Sequence, residues 1–142
     1  MGPTAHEQDL TVVRAVYEAF DQGDVASVLA LFAADGTVYQ SPALPWGGTY
    51  QGHEGLGRFL TALTGHIESR PEVERLVADG AGHVVQVGRT RGTVRASGAA
   101  FDVAEVHLWT VRDGLVQRFE AYLDTAAMTA ALDAPAVAAA RR

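Results

Sequence analysis

Beyond Pro71 the apolar residues change spacing, from every third or fourth position to every second, and this switch restricts the fold more than any composition figure. Alternation over four successive segments, 72–78, 83–95, 100–111 and 115–124, predicts β-strands. Asp79-Gly80, Ser97-Gly98 and Asp113-Gly114 separate them, and such pairs accept the backbone angles of tight hairpins. Consecutive hairpins make an antiparallel meander.

Upstream the period is helical. Thr4 and Glu7 stand at capping-box spacing, and Leu10, Val13, Tyr17 and Phe20 mark one stripe of a first helix. Gly23 ends it, and Asp24 caps a shorter helix carrying Val28, Leu29, Leu31 and Phe32. Asp35-Gly36 breaks that helix before a short β-rich run at 37–40. Residues 41–52 read as a loop with Pro42, Pro45, Gly47 and Gly48, holding Leu44, Trp46 and Tyr50 as its large side chains. Leu56, Phe59, Leu60 and Leu63 form the stripe of a third helix. Thr125–Leu132 predicts a last helical turn or two, and the Ala-rich end after Pro135 a loose tail. Helices first and meander second is an α+β arrangement. At 142 residues the expectation is a single domain over 1–132 and a tail over 133–142.

Composition removes several chemistries. Eleven basic and seventeen acidic residues leave a net charge of −6, which repels a phosphate backbone and argues against nucleic acid. Every basic residue is arginine and cysteine is absent, so there is no lysine Schiff base, thiolate nucleophile, disulfide or cysteine-ligated metal. That usage suits a reducing cytoplasm. No apolar run reaches the ~18 residues of a membrane span, and residues 1–7 do not read as a signal peptide. His53, His66, His83 and His107 are scattered without ligand spacing, so no metal site is expected.

In segment 100–111, Phe101, Val103, Trp109 and Val111 share one face, while Ala104, Val106 and Leu108 share the other. Neither face is strongly polar, which predicts cover on both sides. Helices would supply one cover. A second copy of the chain would supply the other, making a homodimer through the sheet face, or else a loop or the C-terminal tail would.

The order helix, Gly23-Asp24, helix, then Asp35-Gly36-Thr37-Val38 before a Pro-containing loop is similar to the nuclear-transport-factor-2-like superfamily. The passage Leu44-Pro45-Trp46-Gly47-Gly48-Thr49-Tyr50-Gln51-Gly52 resembles that of its SnoaL-like and ketosteroid-isomerase-like members. His107-Leu108-Trp109-Thr110-Val111-Arg112-Asp113-Gly114, followed by Arg118-Phe119-Glu120-Ala121-Tyr122-Leu123-Asp124-Thr125, is similar to their closing hairpin. The likeness covers residues 9 to 132, nearly the whole chain.

That resemblance implies a cone, a curved antiparallel sheet wrapped on three N-terminal helices around a central pocket. It puts Val103, Glu105, His107 and Trp109 on the pocket side, with Gln117, Phe119, Ala121 and Leu123 from the next strand. The pocket is then largely apolar, with Glu105 and His107 as its titratable members, and suits a small apolar ligand carrying one or two polar groups. Further substrate-binding residues expected on this basis are Tyr17 and Phe59, with Tyr39 and Trp46 walling the mouth. Tyr17 either points its hydroxyl inward or packs in the core with its polar tip at an edge.

Residue by residue, the ketosteroid isomerase base corresponds to Ser41, its helix-one oxyanion donor to Val16, and its second donor to His107. SnoaL-like polyketide cyclases place an acid–base histidine where His107 stands and a polar residue where Glu105 stands, but their last-strand aspartate corresponds to Ala121. The arginine of limonene-epoxide-hydrolase-like members has no counterpart on 100–111. The resemblance thus implies a cofactor-free acid–base isomerase or cyclase working beside the carbonyl of an apolar, polyketide-like substrate. His107 and Glu105 are its catalytic pair, since imidazole exchanges protons near neutral pH and the carboxylate can orient it or act as base. The alternative is a non-catalytic protein of the same fold that binds a small apolar ligand. For Glu105 the structural alternative is an ion pair with Arg89 or Arg91. Asp124 falls off the pocket face and reads as a helix cap.

Overall fold

The computed structural model describes residues 2 and 4–137. In chain order the elements are α1 (Ala5–Asp21), α2 (Val25–Ala30), β1 (Phe32–Gln40), β2 (Gly48–Gln51), α3 (Gly52–His66), β3 (Ile67–Ala78), β4 (His83–Val94), β5 (Ala100–Arg112), β6 (Leu115–Leu123) and α4 (Thr125–Asp133). The helix starts follow the expected caps. Thr4 Oγ1 accepts from the Glu7 N–H and Glu7 Oε1 from the Thr4 N–H, so two orphan donors are satisfied reciprocally. Asp24 caps α2 through the Ser27 N–H at 3.1 Å, and Asp124 caps α4 through the Ala127 N–H at 3.0 Å.

Three boundaries differ from the sequence expectation. Strand β1 begins at Phe32, so Phe32 belongs to the sheet rather than α2, and Asp35-Gly36 lies inside the strand. The register of β1 against β6 shifts between Phe32 and Thr37, and this irregularity hides the strand's alternation. Part of the Pro/Gly loop is strand β2, paired antiparallel with β1 from Thr37↔Gln51 to Gln40↔Gly48. Four residues between glycines are too short a run to show a period. Strand β3 emerges directly from α3 at Ile67 and contains Pro71, which is tolerated because β3 is an edge strand.

The six strands form one sheet in the order β2-β1-β6-β5-β4-β3. Each neighbouring pair is antiparallel except β1 and β6, which run parallel. The two outermost strands do not pair, so the sheet curves without closing. Its bend has a local cause on the concave face of β4. A Cβ at Gly88 would stand 2.1 Å from the Glu72 carbonyl oxygen, and one at Gly92 only 1.8 Å from that of Glu68. Strand β3 can therefore lie this close over β4 only where side chains are missing, and a bulge between Val73 and Arg75 completes the turn of the sheet.

Helices α1 and α3 pack on the concave face. Between them and the sheet lies the core, with Val13 and Val16, Leu56 and Phe59, and Trp109, Val116 and Phe119 all buried. Along β5 the alternation holds over the whole strand: 101, 103, 105, 107, 109 and 111 are buried. On β6 it slips. A register shift opposite Thr110 and Val111 turns Val116 inward, and Gln117 instead donates to the carbonyls of Arg112 and Leu115. Gln117 is thus not a pocket residue.

The convex face keeps Val106 and Tyr122 exposed, at 39% and 46%. The described part of the tail runs elsewhere, with the Val137 N–H donating to the Ser97 carbonyl at 2.7 Å. Residues 138–142 lie outside the described ones. Among the described residues no helix is long and apolar enough to cross a membrane.

Candidate functional site

A cavity of about 90 Å³ opens between α1, α2, α3 and the concave face of the sheet. Most of its wall is apolar, supplied by side chains such as Phe20, Phe32, Leu56 and Leu60. Its polar lining comes from Tyr17, Gln40, Ser69, Thr90, Glu105 and His107. Of the residues expected to bind substrate, Tyr17, Trp46, Phe59, Trp109, Phe119 and Leu123 border it, as do Glu105 and His107.

Two do not. Tyr39 has the opposite parity on β1: Val38 and Gln40 point inward, while the Tyr39 ring lies against Tyr122 on the convex face, centroids 5.9 Å apart. Val103 is on the correct face but two residues beyond Glu105, buried in the core away from the cavity. Trp46 also differs in kind from the expectation, because it is fully buried wall rather than mouth. Its Nε1–H donates to Gln40 Oε1 at 2.9 Å.

Alternation on β5 brings Glu105 and His107 side by side, and the β4–β5 register sets Gln86 directly opposite His107. All three are buried, Glu105 at 5%, His107 at 8% and Gln86 at 0% exposure. His107 Nε2 lies 3.2 Å from Glu105 Oε1. Gln86 Nε2 is 2.9 Å from Glu105 Oε2 and 3.1 Å from His107 Nδ1. From α1, the Tyr17 hydroxyl reaches the same Nδ1 at 2.7 Å and accepts from Trp109 Nε1–H at 3.0 Å. The imidazole is held edge-to-face by Phe119, centroids 4.9 Å apart, and Trp109 packs on Phe119 in turn.

The direction of each bond follows from which groups can donate. Indole N–H only donates, so the Tyr17 oxygen accepts there and turns its own proton to Nδ1. The Gln86 amide has two hydrogens, aimed at Glu105 and at Nδ1. Nδ1 is therefore an acceptor, and the ring proton sits on Nε2 facing the carboxylate. Burial pushes the Tyr17 hydroxyl above the usual tyrosine range, so it stays protonated and can donate. The inward alternative for Tyr17 is the one observed.

Glu105 does not pair with an arginine. Arg89 and Arg91 have the other parity on β4 and bind Asp102 on the convex face, Arg91 reaching Glu72 as well. Among the described residues the only basic side chain at ion-pair distance from Glu105 is His107, whose neutral ring donates a hydrogen bond rather than a charge. Gln86 was not picked out from the sequence. The signal was there, a single amide inside Val84-Val85-Gln86-Val87, but only the cross-strand register shows what it faces. Among the described residues no three His, Asp or Glu side chains come together to hold a metal ion.

Comparison with known proteins agrees with this architecture. None of the curated proteins compared matches the chain. Among solved structures, a nuclear-transport-factor-2-like protein of unknown function from Burkholderia pseudomallei is 30% identical, with 89% of this chain and 98% of that one covered and a TM-score of 0.83. TerC, crystallised with polyporic acid, is 25% identical over 89% of this chain and 99% of its own, with a TM-score of 0.82. A SnoaL-like polyketide cyclase structure from Jannaschia shares the fold at 20% identity, covering 95% of this chain and 98% of that one, with a TM-score of 0.82. The family profile described as SnoaL-like domain matches residues 13–119, from the first helix to the last strand. The chain therefore belongs to the SnoaL-like branch of the nuclear-transport-factor-2-like superfamily.

Proposed function

We propose that this protein is a cofactor-free acid–base isomerase or cyclase that moves a proton beside the carbonyl of a small apolar substrate. The observation that carries this reading is a buried carboxylate, Glu105, at the wall of an apolar cavity with no arginine beside it among the described residues. Desolvating a carboxylate is costly, and a structural one is normally paired with a cation.

The geometry divides the roles. Both nitrogens of His107 face protein groups, so the ring bridges and orients rather than touching the substrate. Glu105 has lone pairs to spare and is the base. It takes the α-proton, the C–H electron pair forms the carbon–carbon double bond of an enolate, and negative charge moves to the oxygen. Tyr17, kept protonated by burial, donates a hydrogen bond to that oxygen. If the substrate is a β,γ-unsaturated ketone, the enolate is a dienolate and Glu105 returns the proton to its γ-carbon, an isomerisation. In a cyclisation the enolate carbon attacks a second carbonyl and the alkoxide so formed takes the proton back from Glu105. TerC, which has been crystallised with polyporic acid, supports a small organic ligand for this cavity.

The second reading, a non-catalytic binder, is favoured by Ser41 and Ala121, which stand where the isomerase base and the cyclase aspartate are expected. The test is deuterium exchange into 2-butanone in D₂O followed by NMR. A catalyst exchanges its α-protons faster than buffer. A ketone that perturbs Tyr17 and Trp109 signals without exchanging would overturn catalysis and leave the binder.

A homodimer through the convex face belongs to the same reading. Val77, Val106 and Tyr122 are exposed there, and the chain's net charge of −6 makes nucleic acid a poor partner. Sedimentation at micromolar concentration is expected to give twice the mass of one chain; a clean monomer overturns the dimer.

A further inference from the structure

We propose that Gln86 is a positioning residue that holds His107 in one tautomer while Tyr17 turns its proton to the substrate. Nδ1 of an imidazole has a single lone pair, yet two donors are aimed at it, the Tyr17 hydroxyl at 2.7 Å and the Gln86 amide at 3.1 Å. One donor is enough for a resting ring. Two allow one of them to leave.

The Gln86 amide cannot be reversed. Its second hydrogen serves Glu105 Oε2 at 2.9 Å, and a flipped carbonyl would face that carboxylate oxygen. Its own Oε1 is fully buried and has no hydrogen-bond partner. That oxygen lies against Gly88, 2.4 Å from where a Cβ would stand. A glutamine kept only to fill the core would satisfy both ends of its amide. Here the amide is held for its two hydrogens, with the acceptor left unpaired.

When Tyr17 rotates its proton to a carbonyl oxygen, the Nδ1 lone pair passes to the Gln86 N–H. No proton is drawn onto Nδ1, the ring need not turn, and Nε2 keeps its hydrogen toward Glu105. The carboxylate then faces the same partner throughout the proton transfer. This rests on the acid–base reading for its purpose, but the tautomer is measurable without turnover.

Ring nitrogen shifts of His107 in ¹⁵N-labelled protein test it. The native chain and Tyr17→Phe are both expected to show a bare Nδ1 and a protonated Nε2. Adding Gln86→Met to Tyr17→Phe is expected to lower the ratio of the two tautomers about fivefold, by loss of the remaining hydrogen bond. If that double variant does not fold, Gln86→Asn in the same background withdraws the donor and is read the same way. Tyr17→Phe alone losing the tautomer overturns the proposal, and so does the double variant keeping it. In the exchange assay, Gln86→Met is expected to lower kcat about tenfold with KM within about twofold. A fall in Tm with neither tautomer nor kcat changed marks a merely structural residue and also overturns it. Expected tautomers in a protein that exchanges no ketone protons support the role of Gln86 and overturn the acid–base reading instead.

Discussion

Glu105→Gln lowers the rate of α-proton exchange into saturating 2-butanone by about 10²–10⁴-fold, the usual contribution of a positioned general base, while ketone binding stays within about threefold. The substitution keeps the shape and most of the packing of a side chain that is only 5% exposed. What it removes is the ability to accept a proton from carbon. Gln86 can still donate to the new amide oxygen, so the wall keeps its shape and binding survives, although the new amide N–H meets His107 Nε2–H and one of the two must turn. NMR of the exchanging ketone gives the rate, and a titration of its shift perturbations gives the affinity. A rate loss below threefold would remove Glu105 from the chemistry.

The largest effect on stability is expected at Trp46. Truncation to alanine costs about 3–5 kcal/mol for a buried indole, by lost transfer energy and the void left behind. Its Nε1–H also satisfies Oε1 of Gln40, a side chain itself only 4% exposed, and orphaning that acceptor adds about 1–3 kcal/mol. Against a total of roughly 5–15 kcal/mol for a domain, the variant is close to unfolding at room temperature. Urea titration followed by the remaining tryptophan, Trp109, reads the loss. A cost near 1 kcal/mol would mean that Trp46 packs far more loosely than its burial indicates.

How far the sequence reached follows from how far each signal carries. Capping depends on neighbours three residues apart, so Thr4, Asp24 and Asp124 were legible as helix starts. Parity along an uninterrupted strand is equally local, which is why Glu105, His107 and Trp109 could be set on one face. It fails wherever a bulge intervenes. On β6 the shift opposite Thr110 and Val111 moved Gln117 out, and on β1 the irregularity after Phe32 concealed the strand from which Tyr39's outward direction follows. Pairing between distant segments leaves no local trace. The parallel contact of β1 with β6 and the placing of Gln86 across from His107 are facts of register, and the Tyr17 hydroxyl reaches Nδ1 across ninety residues of chain.

The two glycines where β3 folds over β4 have a consequence for how this cavity can diversify. Ser69 and Pro71 border the cavity from β3, and their distance from Glu105 is governed by how tightly that outer strand can lean inward. A methyl group at position 92 would prise the strand away and widen the chamber, although Gly92 does not border it, whereas one at position 88 would also meet Gln86 Oε1. Capacity and reactivity are thereby controlled from separate places: a change on one flank resizes the chamber while the proton-handling residues stay where they are.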